Sequence, residues 1–191
     1  MIVKLFYDLE TTGLDERIHS IHQIAGMFEV DGKIVETFNF KVAPHPKAQI
    51  DPQALSTCKV TEEQIRAYPS MQEVYKQFVG MLKKYCNRFD KTDKIWLVGF
   101  NNRKFDDIFL SAWFKQNGDE FFPAWFWPDS LDVLVLASQH LIHVRSQMPS
   151  FKLKRVAMTL QIPVDESKLH DGLYDVGLTY QIYQVLTNKL L

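Results

Sequence analysis

The sequence predicts a single α/β domain on a mixed sheet, and three observations carry that expectation. The N-terminal run "MIVKLFY" is apolar and β-prone, which is how a central strand buried on both faces reads. Two more β-prone runs, "SIHQIAGMFEV" and "IVETFNFKV", flank "DGK" as the arms of a hairpin flank their turn. Further along, a short apolar run alternates with helical segments, which adds a strand to the same sheet. With 191 residues, 46% of them hydrophobic and 13% aromatic, the chain suits one domain, residues 1–191, around a sizeable core.

The first strand ends in "FYDLETTGL", residues 6–14. Side chains alternate along a strand, so Asp8 and Glu10 share a face at its C-terminal end. Two carboxylates so close resist joint ionisation unless a cation lies between them, which points to a metal. Taken alone, such a D-x-E is also what two solvated acids beside the "TTG" turn look like, so further acids are needed. The hairpin completes an antiparallel meander with this strand. "VAPHPKAQIDPQAL", residues 42–55, reads as a loop because its prolines remove backbone donors. Thr61 with Gln64, and Ser70 with Glu73, have capping-box spacing and place two helix starts. The second helix runs through "MQEVYKQFVGMLKKYC", with Val74, Phe78, Met81, Leu82 and Tyr85 as its core-facing stripe.

"KIWLVGF", residues 94–100, reads as the strand that joins the first, followed by a helix starting just after Asn102. Sites in α/β sheets form outside the carboxyl ends of strands, and this junction is such a place. Asp106 and Asp107 there also have a plain explanation, since acids are favoured in a helix's first turn. Residues 125–141 and 150–162 read as further helices, with Ser150 as N-cap of the latter. Within the closing stretch, residues 168–191, Val176, Tyr180, Tyr183 and Val185 give an amphipathic helix, with Asp175 near its start.

Lys and Arg total 22 against 23 Asp and Glu. That balance argues against a protein that coats long duplexes by neutralising phosphates. Cys58 and Cys86 form no C-x-x-C and read as reduced thiols. No signal peptide precedes the first strand and no apolar run could span a bilayer, so a soluble, cytoplasmic protein with no membrane partner is expected.

"DLETTG", "NNRKFD" and "HDGLYD" occur in that order along nearly the whole chain. Together they resemble the DEDDh branch of the DnaQ-like 3′ to 5′ exonucleases, the group that includes the proofreading epsilon subunit of bacterial DNA polymerase III. The resemblance implies a ribonuclease H-like fold with the meander at its N-terminus and helices flanking the sheet. It implies that Asp8 and Glu10, Asp106 from an N-x-x-[FY]-D block, and Asp175 from an H-x-x-x-x-D block hold two divalent ions, Mg²⁺ or Mn²⁺. Oxygen ligands suit those hard cations. His170 then serves as general base, on a loop before the last helix, and not as a ligand. Substrate contacts fall to Thr11, Leu14, Asn102 and Phe105, with Leu14 wedged against the terminal base. The implied activity releases nucleoside 5′-monophosphates from 3′ ends, with single-stranded DNA favoured over RNA, and a polymerase is a possible partner. The alternatives are an RNA 3′ to 5′ exonuclease and a catalytically silent module that docks on a polymerase.

Other features have plainer readings. His19 with His22, and His140 with His143, are spaced for a helical metal site but lack a third ligand, so they read as core or surface residues. "FFPAWFWP" could stack bases, yet packing in a core or over a sheet edge is the ordinary use of such rings. Arg103, Lys104, Lys152, Lys154, Arg155 and Lys168 lie near the site blocks and could reach phosphates. Two positions depart from the family pattern: Gln23, where many relatives have Glu, and Asn101, where His or Ala often precedes the motif Asn.

Overall fold

The computed structural model, which describes residues 1–187, contains a five-stranded sheet in the order β3-β2-β1-β4-β5. Strands β1 (Val3–Thr11), β2 (Ile21–Val30) and β3 (Lys33–Lys41) form the predicted antiparallel meander. Strands β4 (Trp96–Gly99) and β5 (Leu131–Asp132) continue the sheet in parallel on the other side of β1. The β2–β3 turn is Asp31-Gly32, both with positive φ, 46° and 84°. That is the backbone a tight hairpin demands and an Asp-Gly pair supplies.

Helices cover both faces. They are α1 (Pro52–Thr57), α2 (Glu62–Arg66), α3 (Met71–Tyr85), α4 (Asp106–Gln116), α5 (Phe122–Trp125), α6 (Val133–His140), α7 (Leu153–Thr159) and α8 (Gly172–Thr187). Leu5, Tyr7 and Leu9 of β1 point into one core with Phe78 of α3 and Phe109 and Trp113 of α4. Phe6 points the other way, into a second core with Val133, Val156 and Val176 from α6, α7 and α8. This is why β1 reads as almost continuously apolar. It also means that Asp8 and Glu10, two and four residues after Phe6, emerge at the rim on the α8 face. No helix among the described residues is long and apolar enough to cross a membrane.

Both predicted caps are present: Thr61 and Gln64 form a reciprocal capping box, and Ser70 accepts from the Glu73 N–H at 3.3 Å. Four expectations need correction. The stretch 42–55 is not all loop, because Asp51 caps α1 and Pro52 sits at its first position, where a missing N–H costs nothing. Past Trp125, the last residue of α5, the segment 125–141 is helical only from Val133, since Pro128 breaks it and Leu131–Asp132 pairs with β4 instead. Ser150 is not the cap of α7. Lys152, with an extended backbone, directly precedes the helix, and Phe151 packs on the second core beneath the Arg145 guanidinium, 4.8 Å from its ring. After Asn102 the chain first makes a 3₁₀ turn, Asn102–Lys104, and α4 opens at Asp106. Residues 188–191 of the predicted closing helix lie outside the described residues.

The aromatic run "FFPAWFWP" packs as expected except at Phe121, which is 60% exposed under the Arg88 guanidinium. Trp125 and Phe126 are buried, and Trp127 lies against Trp96 with ring centroids 5.7 Å apart beside the short edge strand. His22 holds a less ordinary place. Register shifts from Glu10 opposite Gln23 to Thr11 opposite Ile21, so His22 is the extra residue of a β-bulge. Its ring is fully buried and neither nitrogen has a hydrogen-bond partner.

Burial, and secondarily the Lys41 ammonium, lower the His22 pKa from 6.5 to about 4. Below pH 6.5 the unfolded chain takes up a proton that the folded chain refuses until about pH 4. Stability therefore falls as pH drops through that window, by about 3 kcal/mol from this group. His22→Leu removes the loss. Urea melts of wild type and variant from pH 7 to pH 4 should show the variant gaining on wild type as pH falls, and parallel curves would refute it.

Candidate active site

Asp8 and Glu10 face Ala25 and Gln23 across the β1–β2 ladder, and α8 starts directly above them. A Cβ built on Gly172 would lie 3.2 Å from Ala25 Cβ, 3.2 Å from Gln23 Nε2 and 3.6 Å from Asp8 Oδ2. Glycine thus lets the first helical turn descend onto the strands, bringing Asp175 to the rim. Asp171 caps the helix, its Oδ1 accepting from the N–H groups of Leu173 and Tyr174 at 3.1 and 3.2 Å. Asp175 is 8% exposed. Its Oδ2 accepts the His170 backbone N–H at 3.2 Å, while its buried Oδ1 has no partner. His170 has φ +67° and an exposed ring, on the loop just before α8 as the spacing predicts.

Asp106 reaches the rim from the opposite face. Pairing between β1 and β4 extends to Phe6 and Val98, so the Leu9 N–H beyond it is free to donate to Asp106 Oδ1 at 3.0 Å. Asp107, one residue on, turns into a separate network. It accepts from the Tyr7 hydroxyl, from Asn102 Nδ2 at 3.1 Å and from the Ser130 hydroxyl. The bend before α4 depends on Asn101, whose φ of 64° lies where Asn is among the favoured non-glycine residues. Its N–H is held by Asp132 Oδ1 at 2.9 Å.

All four carboxylates resist ionisation. Burial pushes Asp8 well above the usual range, and the charges of Asp106, Glu10 and Asp175 push it further. Asp106 rises to about 8 through burial, against the Leu9 hydrogen bond. Glu10 rises to about 7 through burial, with Cys58 and Lys41 opposing, and Asp175 to about 6 through burial, with the His170 N–H opposing. Glu10, His170 and Asp175 each present a ligand atom within 4.8 Å of the other two. An oxygen-rich donor set with one orphaned buried carboxylate oxygen fits hard divalent cations.

The remaining predicted contacts divide. Leu14 is 81% exposed beyond the turn, and Phe105 is half-buried against Phe109. Thr11 and Asn102 are buried, the Thr11 hydroxyl donating to the Gly13 carbonyl at 2.7 Å. Of the basic residues, Lys154 and Lys168 are paired with Glu166 and Asp165, whereas Arg103 and Lys104 are exposed beside α4. Sequence reasoning missed Cys58, whose thiol donates to Glu10 Oε2 at 2.9 Å, and Lys41, whose ammonium donates to Gln23 Oε1. Gln23 carried a signal as a departure from pattern: a Glu there would add an acid beside Glu10, whereas the amide holds a cation near it. A cavity of about 500 Å³ lined by His170, Cys58, Lys41 and Lys59 adjoins the acids.

A family model described as exonuclease, RNase_T, matches residues 5–183. A PolC-type DNA polymerase III of Mycoplasmopsis pulmonis is 28% identical over 177 residues, which is 93% of this chain and 11% of that protein. Ribonuclease T of Photorhabdus laumondii subsp. laumondii is 24% identical over 197 residues, 95% of this chain and 82% of that enzyme. The zinc-bound complex of E. coli exonuclease I with single-stranded DNA superposes with a TM-score of 0.79 at 19% identity, covering 99% of this chain and 41% of that one. The fold is thus ribonuclease H-like, as expected, and the chain spans only a small part of the PolC-type polymerase.

A raised pKa means that folded Asp106 keeps a proton that the unfolded chain releases above about pH 4, so its contribution to stability falls as pH rises toward 8. Asp106→Asn removes this loss, and the amide oxygen still accepts from Leu9. In EDTA at pH 8 the variant should be more stable than wild type by about 1 kcal/mol or more, an advantage that shrinks toward pH 5 and reverses with Mn²⁺. A variant less stable than wild type at pH 8 in EDTA would contradict the electrostatic account.

Proposed function

Because the chain belongs to the RNase_T exonuclease family, with residues in the DEDDh pattern, we propose that it is a metal-dependent 3′ to 5′ exonuclease acting on single-stranded ends. One observation carries the reading: four mutually repelling carboxylates and one imidazole, drawn from three distant blocks, meet at a single strand end. Asp8, Glu10, Asp106 and Asp175 would hold two Mg²⁺ or Mn²⁺ ions, which supply Lewis-acid neutralisation of phosphate and departing-oxygen charge. His170, as neutral imidazole, takes a proton from the attacking water. The new P–O bond forms as the bond from phosphorus to the 3′ oxygen breaks; that oxygen leaves with the bonding pair, and protonation from solvent makes it a 3′-hydroxyl. The product is a nucleoside 5′-monophosphate. Leu14, solvent-exposed past the turn, suits a wedge against the terminal base.

DNA is the favoured substrate by likeness to the proofreading exonucleases, and the PolC-type match supports a polymerase partner. Ribonuclease T, most of whose length this chain matches, supports RNA as the second reading. A silent docking module is disfavoured by the presence of all five catalytic residue types.

Asp106→Asn should abolish hydrolysis of a 5′-labelled single strand. Asp107→Asn should keep most activity, because an amide can still accept from Tyr7 and Asn102 and donate to Ser130. Equal losses would mean the wrong carboxylate has been assigned to the metal. Matched DNA and RNA strands in the same assay decide the sugar, and nicking of closed circles would rule out an exonuclease.

His170→Ala should slow hydrolysis by ~10²-fold or more, the scale of a positioned base. Calorimetric Mn²⁺ affinity should stay near wild type and higher pH should restore part of the rate. An affinity loss matching that of Asp8→Ala would make His170 a ligand.

A further inference from the structure

The structure carries a second feature on the α4 side of the acids, and its use follows from the direction of attack. In-line displacement puts the incoming and departing oxygens on opposite sides of phosphorus. His170 stands with Glu10 and Asp175 on the α8 side. The strand that departs on its 3′ oxygen must therefore leave on the other side, where Asp106 opens α4.

A cleft of about 560 Å³ lies there, between the loop at Glu16 and Arg17 and the outer face of α4. Ile108, Ser111, Ala112 and Lys115 recur at helical spacing along that face, while Phe109, Leu110, Trp113 and Phe114 of the same helix fill the core. Small residues form the floor between an apolar end and a cationic end. Ile108 is 42% exposed, and Leu14 stands exposed on the loop opposite. Lys115, and Arg103 and Lys104 on the adjoining 3₁₀ turn, are exposed and have no ion-pair partner among the described residues. Arg17 is paired with Asp15 at 2.6 Å, and Glu16 is the acid on the rim.

On the nuclease reading above, we infer that this cleft carries the single strand 5′ to the scissile phosphate. Ile108 gives a base an apolar surface and Lys115 meets a phosphate. The cleft begins at Asp107, the residue after Asp106, and Lys115 is its exposed cation without an ion-pair partner among the described residues, with Arg103 and Lys104 on the turn beside it.

The test compares a single strand of about ten nucleotides with the 5′-p-nitrophenyl ester of thymidine monophosphate, which has no strand beyond the scissile bond. The Ile108→Ser/Lys115→Glu variant should lower the ratio of kcat/KM for strand over ester by about tenfold, through phosphate and stacking contacts that only the strand can make. Lys115→Glu alone should flatten the log–log salt dependence of strand binding by about 0.7, one single-strand phosphate contact. Lys59→Glu, on the His170 side, should leave the ratio nearly unchanged. A ratio lowered by Lys59→Glu but not by the α4 changes would place the strand on the wrong side here and overturn the inference. An unmoved ratio in active variants would refute the strand path alone, whereas wild type inert on both substrates would refute the nuclease reading beneath it.

Discussion

Crowding of negative charge at the end of β1 is the constraint to which the rest of the structure answers. Asp8 and Glu10 share a face because a strand has period two, and α4 and α8 deliver Asp106 and Asp175 from opposite faces of the sheet. Each arrival has a visible compensation: the Leu9 N–H on Asp106, the His170 N–H on Asp175, the Cys58 thiol on Glu10. Two helix N-termini add partial positive charge. These do not suffice, since the four groups still stand above their ordinary pKa values. Removing one proton after another leaves uncompensated charge at a buried rim, which a divalent cation relieves and hydrogen bonds alone do not.

What was legible in the sequence follows from the range of the interactions. The period-two placement of Asp8 and Glu10, the capping pairs at Thr61 and Ser70, and the loop position of His170 are local, so residue order alone discloses them. The choice of Asp106 over Asp107 rested on motif register, and the two side chains do turn to different neighbourhoods. Cys58 meets Glu10 across 48 residues and Asp107 meets Tyr7 across 100, with no periodicity to announce either contact. Strand β5 has two residues and α1 has six, too short for a repeating pattern to form. Ser150 is not the cap because α7 opens only at Leu153, after Phe151 has packed on the second core and Lys152 has taken an extended backbone.

Three of the irregular backbone positions lie around the same rim. The β2 bulge at His22 adjoins Glu10, the left-handed Asn101 precedes the turn into α4, and the left-handed His170 precedes α8. A non-glycine residue in that region costs about 1–2 kcal/mol, so each must be held by its surroundings. Asp132 holds Asn101 and Asp175 holds His170, both through backbone N–H groups. The departures from regularity thus serve to turn chain ends toward one point at the carboxyl edge of the sheet.

Asp175 accordingly has two tasks that the other acids do not share. One oxygen lies buried and unpartnered among the carboxylates, and the other fixes the loop from which the His170 ring projects. The acids sit on strands and helices whose backbones are locked, which suits groups that must hold a fixed charge pattern. The imidazole sits on a loop with an exposed ring, which suits a group that exchanges protons with water. Asp175 couples these two requirements, since any shift of its carboxylate changes both the charge at the rim and the direction in which the His170 ring projects. The effects of altering Asp175 and His170 are therefore expected to be non-additive, because the Asp175 carboxylate accepts the backbone N–H of the residue whose ring stands beside it.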